Sequence, residues 1–340
     1  MKRKWILGIT MVCSAMFFCS CGCEENLTIN KNGTATVTLA SYTTPEEESV
    51  IMAAMKEGSE PGDEMPATFS ELMKELEFQA SGQTTLNGKI HNKYVIKNKM
   101  NKEMTDAQFV VNNSHQTVMN VGTTAETKEM MQKIYKEMGV PEGTEGDLSA
   151  LDHFTITMKY PFKVAKTNGV KQSDGYTVTY DMRTLKADRI YAADSKAAKN
   201  RSLKIQGVKN KAYYNTAQKV TLESDGVITQ FRINGDPLDT NSYQAKKDGK
   251  YKLSIKMASG VSRNLSFTVD KTKPKTNIKN KQTYKGKVTV TCSDKTAGIK
   301  KITLNGKKIA NNKVVSKKGS YKLQITDKAG NVKNVSFTIK

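Results

Sequence analysis

Hydrophobic and polar residues alternate in short runs along the last third of the chain. Tyr321, Leu323 and Ile325 alternate with lysine and glutamine, and the run 335–339 alternates apolar residues with serine and threonine. A period of two buries one face of a strand and leaves the other in water. Asn305-Gly306 stands between two such runs, and a type I′ hairpin turn prefers this dipeptide. The pattern predicts an antiparallel β-sandwich.

These strands occur twice in the sequence. Three segments recur 70 or 71 residues further on: 231–235 as 302–306, 248–255 as 318–325, and 260–269 as 330–339. Self-similarity at a fixed offset indicates repeated structural units. We therefore predict two copies of one module, at 206–270 and 274–340.

The preceding half mixes strand and helix patterns. Two runs on either side of Asn32-Gly33 predict a β-hairpin, and the alternating runs 154–160 and 176–182 predict further strands. Helix signals begin at Thr44, Thr68 and Thr124 and end near Lys56, Phe78 and Met138. This order predicts an α+β domain, with the helices on one face of an antiparallel sheet.

The N-terminus has the pattern of a signal peptide. Residues 1–23 contain three basic and no acidic residues, and the run Trp5 to Phe18 is apolar. The segment from Phe18 to Cys23 contains three cysteines and resembles a bacterial lipobox, in which a small residue precedes a cysteine that receives a diacylglycerol. The resemblance implies a signal peptide over 1–20, lipidation at Cys21 or alternatively Cys23, and attachment to the extracytoplasmic face of the cell membrane. The other reading is an uncleaved signal anchor.

The ordered features of the first half resemble a known lipoprotein domain. They are the lipobox cysteine, Leu27 to Gly33, a helical middle, Tyr160 to Val164, Asn168-Gly169, Tyr176 to Met182, and Ile190 to Ala193. Together they are similar to the LppM-type domain of bacterial surface lipoproteins. The resemblance implies an α+β domain over 21–200 that acts at the envelope, where members are implicated in binding membrane glycolipids. It implies no catalytic residue.

The second half resembles a second family. Asp327-Lys328-Ala329-Gly330-Asn331 before a strand, and the joint from Val269 to Pro274, are similar to the bacterial Ig-like repeats of surface proteins. The resemblance implies two all-β Ig-like sandwiches that serve as spacers, adhesive units or wall-binding units.

Charge is distributed unevenly along the chain. Residues 24–200 contain 20 basic and 25 acidic side chains, whereas 201–340 contain 31 basic and 8 acidic ones, and the whole chain has a net charge of +21. From residue 271 onward there are 19 lysines and two aspartates. Clustered cations favour an anionic partner, either a cell-wall polymer or the anionic headgroups of membrane lipids. The candidate contacts are Lys307, Lys308, Lys317 and Lys318.

These lysines also have a structural explanation. Lysine on exposed strands also prevents aggregation between sheet edges. Nucleic acid is not expected as a partner, because no aromatic residues are interspersed for base stacking.

No motif for catalysis or for a cofactor accompanies these features. The three histidines lack metal-ligand spacing, and no glycine-rich nucleotide motif occurs. We expect no enzyme activity, no cofactor and no metal site. Met130, Ile134 and Met138 lie at helical spacing, which usually marks a core; a pliable lipid-binding groove is the alternative.

The sequence therefore predicts a membrane-anchored surface lipoprotein that is not an enzyme. In it, the α+β domain binds a lipid or glycolipid and the basic Ig-like repeats contact anionic cell-wall polymer. The alternative is a structural or adhesive surface protein whose repeats bind a protein or polysaccharide partner.

Overall fold

The computed structural model describes residues 22–57, 66–121 and 153–340. The chain forms two compact units. The first contains the residues up to Arg201 together with 226–229 and 257–259, and the second contains the remainder. The described part is mostly β-strand, arranged in several sheets, with four short helices. The helix predicted at 126–138 and its candidate groove lie outside the described residues.

Eleven described strands belong to the first unit. They are β1 (Gly22–Ile29), β2 (Ala35–Thr43), β3 (Gln79–Leu86), β4 (Lys89–Met100), β5 (Val111–Asn112), β6 (Gln116–Asn120), β7 (Phe154–Lys159), β8 (Lys166–Thr167), β9 (Val170–Lys171), β10 (Thr177–Asp181) and β11 (Arg189–Ala193). Seven of them form a sheet in the order β3-β4-β2-β1-β7-β10-β9, and four form a second sheet in the order β5-β6-β11-β8.

The central strand of the large sheet is β1. Its hairpin with β2 confirms the predicted turn, since Ile29 pairs with Ala35 and Gly33 has φ 81°. On its other side β1 runs parallel to β7, with Leu27 opposite Met158. The sheet is therefore mixed, whereas the sequence pattern predicted an antiparallel one. A parallel pair requires a long crossover connection, and that pairing is set by contacts distant in sequence.

Period-two alternation supplies the core of the first unit. Leu27, Val37, Ile96 and Ile156 are buried on one face of the large sheet and belong to one apolar cluster. Full burial of such a side chain stabilises the fold by about 1.5–3 kcal/mol. The strands are thus held together through the face that the sequence pattern indicated.

The four described helices lie in the first unit. They are α1 (Pro45–Glu57), α2 (Phe69–Glu75), α3 (Lys102–Gln108) and α4 (Ser195–Lys199). The start of α1 was predicted correctly: the Glu47 N–H donates to Thr44 Oγ1 at 3.3 Å, and Glu47 Oε2 accepts from the Thr44 N–H at 2.8 Å. Helix α2 ends before the predicted Phe78, because Glu77 adopts φ 66° and stops the helix.

The predicted turn at Asn168-Gly169 separates two short strands that join different sheets. β8 pairs with β11, and β9 pairs with β10. A Cβ on Gly169 would lie 2.5 Å from Tyr180 Cδ1 and 2.7 Å from Val178 Cγ1. Only glycine therefore lets the chain pass so close to β10.

Seventeen strands follow, in two matching series. The first series is β12 (Lys204–Gln206), β13 (Ala212–Tyr214), β14 (Gln218–Glu223), β15 (Ile228–Ile233), β16 (Asp236–Pro237), β17 (Ser242–Ala245), β18 (Gly249–Met257) and β19 (Ser262–Val269). The second is β20 (Lys275–Thr276), β21 (Gln282–Tyr284), β22 (Val288–Val290), β23 (Cys292–Ser293), β24 (Ile299–Leu304), β25 (Lys307–Lys308), β26 (Lys313–Val315), β27 (Gly319–Asp327) and β28 (Val332–Ile339).

The two copies share one topology. Each has a five-stranded sheet, ordered β13-β19-β18-β15-β16 in the first copy and β21-β28-β27-β24-β25 in the second. A smaller set of strands accompanies each one: β12-β14-β17 in the first copy, and the pairs β20-β23 and β22-β26 in the second. This arrangement is compatible with the predicted sandwiches.

Individual contacts repeat as well. The Tyr251 ring stacks on Phe267 at 5.1 Å, and the Tyr321 ring stacks on Phe337 at 5.2 Å. The predicted Asn-Gly turn is confirmed in the second copy, where Asn305 has φ 49° and Gly306 has φ 81°. The sequence repeat therefore reflects a repeated structure.

Within the described ranges, no helix is both long enough and apolar enough to cross a membrane.

Candidate functional site

Three aspartates converge where the first repeat passes into the second. Asp270 follows β19, Asp294 follows β23, and Asp327 ends β27. One carboxylate oxygen from each lies within 4.8 Å of the others. Asp270 and Asp327 are completely buried, and Asp294 is half-buried. We call this group the aspartate triad.

Turns that the local sequence prefers hold each carboxylate in place. Asp294 Oδ1 accepts hydrogen bonds from the backbone N–H groups of Thr296, Ala297 and Gly298, at 2.8–3.1 Å. Asp327 Oδ1 accepts from the N–H groups of two residues in the turn that follows it. Aspartate favours such turns because its short side chain reaches the backbone two to four residues ahead.

Asp270 connects the two repeats. Its Oδ2 accepts from the Ala297 N–H at 3.0 Å, and its backbone oxygen accepts from Asn331 Nδ2 at 2.7 Å. The same Asn331 amide donates to Asp327 Oδ2 at 2.8 Å. The triad thus lies inside a hydrogen-bonded joint between the repeats.

The electrostatics of the triad favour an added positive charge. Burial raises the pKa of the Asp270 carboxyl, the N–H groups of Thr272 and Ala297 oppose that shift, and the neighbouring Asp294 raises the pKa further. Among the described residues, no lysine or arginine forms an ion pair with the three carboxylates. A proton or a cation would relieve the repulsion between them.

The donor set matches a hard cation. Calcium prefers carboxylate and carbonyl oxygens, whereas zinc prefers nitrogen and sulfur ligands. Asp270, Asp294 and Asp327 are therefore a candidate calcium centre, which our sequence analysis missed. A signal was present, because Asp294 and Asp327 are the only acids after residue 270, in a segment of 19 lysines. Their proximity to each other depends on the fold and could not be read from the spacing.

The candidate polymer contacts lie on the second repeat. Lys307 and Lys308 form edge strand β25, and Lys317 and Lys318 precede β27. All four are exposed, as are the other 15 of the 19 lysines after residue 270. None of the 19 forms an ion pair with a carboxylate in the described part of the chain. Apart from Lys271, whose charge helps to lower the pKa of the nearby Asp248 carboxyl, their positive charge is therefore not neutralised by a described ion pair.

The remaining predicted site residues are the candidate lipidation cysteines and the three residues of the candidate groove. Cys21, Met130, Ile134 and Met138 lie outside the described ranges. Cys23, the alternative lipidation site, is buried in β1, and its backbone N–H donates to the His153 oxygen at 2.7 Å.

A buried carboxyl group in the first unit was also missed. Glu25 lies in the middle of β1, opposite Leu39 and Ile156, and is 2% exposed. Its Oε1 has no hydrogen-bond partner among the described residues. Burial raises the pKa of Glu25 to about 8, so the carboxyl is largely protonated at neutral pH.

Comparisons with known proteins give distant similarities. No family model matches the chain, and no curated protein matches it. The folded domain of LppM from Mycobacterium tuberculosis, solved by NMR, is 13% identical over 52% of this chain and 92% of that domain, with a TM-score of 0.26.

A second solved structure is similar to a smaller part of the chain. It is SGBP-B of the mixed-linkage glucan utilization locus of Bacteroides ovatus, in complex with a mixed-linkage heptasaccharide. This protein is 12% identical over 40% of the present chain, with a TM-score of 0.16. The match spans 46% of that protein, which is less than half its length.

Proposed function

We propose that this chain is a membrane-anchored surface lipoprotein without enzymatic activity, whose basic C-terminal repeats hold an anionic polymer of the cell wall. One observation carries the proposal: all 19 lysines after residue 270 are exposed, and none is paired with a described carboxylate. The only two acids of that segment belong to the aspartate triad. Unneutralised lysines attract polyanions, because association releases condensed counterions.

The proposed fold follows the two family resemblances. It consists of an LppM-type α+β domain over 21–200 and Ig-like sandwiches at 206–270 and 274–340. The shared sheet order of the two copies supports the tandem repeat. Helices inserted between strands of the first unit support the α+β arrangement.

The proposed anchor is a diacylglycerol on Cys21, which places the protein on the extracytoplasmic face of the cell membrane. Burial of the Cys23 side chain in β1 supports Cys21 over Cys23, because a lipidated Cys23 would have to leave the sheet. The test compares the Cys21→Ala and Cys23→Ala variants in membrane fractions. We expect only Cys21→Ala to lose the acyl mass from the processed protein. Acylation of Cys21→Ala to the normal extent would refute this assignment.

A lipid or glycolipid is proposed as the ligand of the first unit, at the groove of Met130, Ile134 and Met138. Sulfur-containing side chains adapt to varied acyl shapes. Native mass spectrometry of the full chain, after incubation with an envelope lipid extract, should retain a discrete lipid mass beyond the anchor. The same spectrum from a variant with polar residues at these three positions should lack it. Equal retention by both proteins would rule out the groove.

The polymer proposal is tested with purified cell walls. The full chain, in a neutral detergent, is mixed with intact walls and with walls from which the anionic polymer has been extracted. We expect binding to the intact walls only, and we expect it to weaken as sodium chloride is added. Salt-insensitive binding to both preparations would instead support the alternative, an adhesive protein whose repeats bind a protein or polysaccharide.

A further inference from the structure

We propose that the wall polymer lies across one face of the five-stranded sheet in each repeat, centred on Lys252 and Lys322, and that the edge lysines Lys307 and Lys308 are not its main contacts. This inference rests on the proposed function, and it specifies the surface and the ligand. The outer face is the side of each five-stranded sheet that points away from its core. Its cations include Lys250 and Lys252 in the first repeat and Lys301, Lys308 and Lys322 in the second.

The position of these lysines in the sheet separates two explanations. Lys307 and Lys308 lie on β25, an edge strand, where lysine prevents pairing with another sheet. Lys252 lies on β18 and Lys322 on β27, and each of these strands is the central one of its sheet. A central strand has both neighbours and needs no such protection. Edge protection therefore explains Lys307 and Lys308 but leaves Lys252 and Lys322 unexplained.

The two central lysines occupy equivalent sites. The Lys252 N–H donates to Asn234 Oδ1 at 2.8 Å, and the Lys322 N–H donates to Asn305 Oδ1 at 2.7 Å. Each lysine faces a serine on the adjacent strand, at positions 266 and 336. Asn234 and Asn305 both belong to Asn-Gly turns with positive φ. The same turn therefore holds the base of each lysine in both repeats.

On the strands that the structure describes, the outer face contains no competing acid. Strands β15, β18, β19, β24 and β28 have no acidic residue, and β27 has only the buried Asp327 at its end. Asp236 of edge strand β16 pairs with the buried Ile233 and therefore lies on the opposite, core side of the sheet. A surface that only had to be soluble would carry charges of both signs. Here the charged side chains of the face are all positive.

Polar uncharged side chains surround the lysines. Gln230 Nε2 donates to Ser254 Oγ at 3.1 Å across the first sheet, and Gln324 Nε2 donates to Asn334 Oδ1 at 3.2 Å across the second. Hydroxyl and amide groups can hydrogen-bond phosphate oxygens, as lysine does by charge. The fitting ligand is a linear polymer of phosphodiester units.

Duplication of the face has a consequence for affinity. A polymer that reaches both repeats binds the second one as an intramolecular step, which raises its overall affinity without any new contact. We therefore expect long chains to bind more tightly, per phosphate, than chains that can occupy one repeat only.

The experiment measures binding of poly(glycerol phosphate) of graded length to the full chain in a neutral detergent, over a series of salt concentrations. The test variant is Lys252→Gln/Lys322→Gln. The matched control is Lys307→Gln/Lys313→Gln, which removes the same charge from two exposed lysines that do not belong to the outer face. In the test variant, the slope of log affinity against log salt should fall by about 2, about 1 for each lysine that contacts a phosphate. The control should keep nearly the wild-type slope.

Lys252→Arg/Lys322→Arg should restore binding, which separates charge from any local change in the sheet. If the wild-type protein binds no polymer, the proposed function fails and this inference fails with it. If wild type binds but the two glutamine variants lose equal affinity, the outer face is wrong while the proposed function stands. Tighter binding to phosphatidylglycerol vesicles than to the polymer, at equal phosphate, would overturn the choice of ligand.

Discussion

Replacing Glu25 with glutamine should abolish a large pH dependence in the stability of the first unit. The carboxyl is buried in the central strand of the sheet, and burial raises its pKa to about 8 from a reference value of 4.5. Folding therefore takes up a proton throughout this interval. The stabilisation that protonated Glu25 contributes is complete below the pKa of the group in the unfolded chain. It is lost as the pH rises toward the pKa of the group in the folded protein.

The magnitude follows from the size of the shift. Each pKa unit corresponds to about 1.4 kcal/mol, so the full interval is worth about 5 kcal/mol. Between pH 5 and pH 7 the wild-type first unit should lose roughly 3 kcal/mol of unfolding free energy through this group. The Glu25→Gln variant should lose none of that part, because an amide does not titrate.

Urea unfolding of the full chain, followed by hydrogen exchange of peptides from β1 and β2, reports on the first unit alone. The matched control is Glu24→Gln, one residue away. Burial would raise the pKa of Glu24, but hydrogen bonds from Tyr42 and Asn26 lower it overall, so it contributes no such loss above pH 5. A constant stability gap between wild type and Glu25→Gln from pH 5 to pH 8 would refute the reasoning.

The remaining predictions concern the joint between the repeats and the large sheet. Calcium should raise the melting temperature of the second repeat in wild type and in Asp239→Asn, an exposed control, but not in Asp294→Asn; an equal rise in all three would place the ion elsewhere. Without calcium, the stabilisation that protonated Asp270 contributes to the fold should be lost as the pH rises past the raised pKa of this carboxyl. Thermal unfolding at several pH values would detect the loss. Gly169→Ala should destabilise the first unit by about 1–3 kcal/mol through its clash with Tyr180, and unchanged urea unfolding would contradict that packing.

The local sequence pattern was sufficient to predict many of the strands. The hairpin at Asn32-Gly33 and the start of α1 could be predicted because each depends on residues close in sequence. The duplicated module could be predicted because its segments recur at a nearly constant offset. The parallel pairing of β1 with β7 could not be predicted, because it joins distant segments whose alternation is the same for either direction.

The candidate sites show the same limit. The lysines were recognised from composition, but their division between edge and central strands required the sheet order. The aspartate triad depends on three turns meeting at one joint. Glu25 is an exception, since two consecutive glutamates in a strand must point to opposite faces, and one of them therefore had to face the core. That inference was available from the sequence.

The position of β1 in its sheet has a mechanical consequence. The strand begins at Gly22, the residue directly after the proposed lipid attachment at Cys21, and three strands lie on each side of it. A pull from the membrane would enter the fold along β1 and load its hydrogen bonds with β2 and β7 together, in shear. Many bonds must then break at once, whereas an edge strand can be peeled off one bond at a time. The middle of the large sheet would thus receive the force transmitted from the lipid anchor.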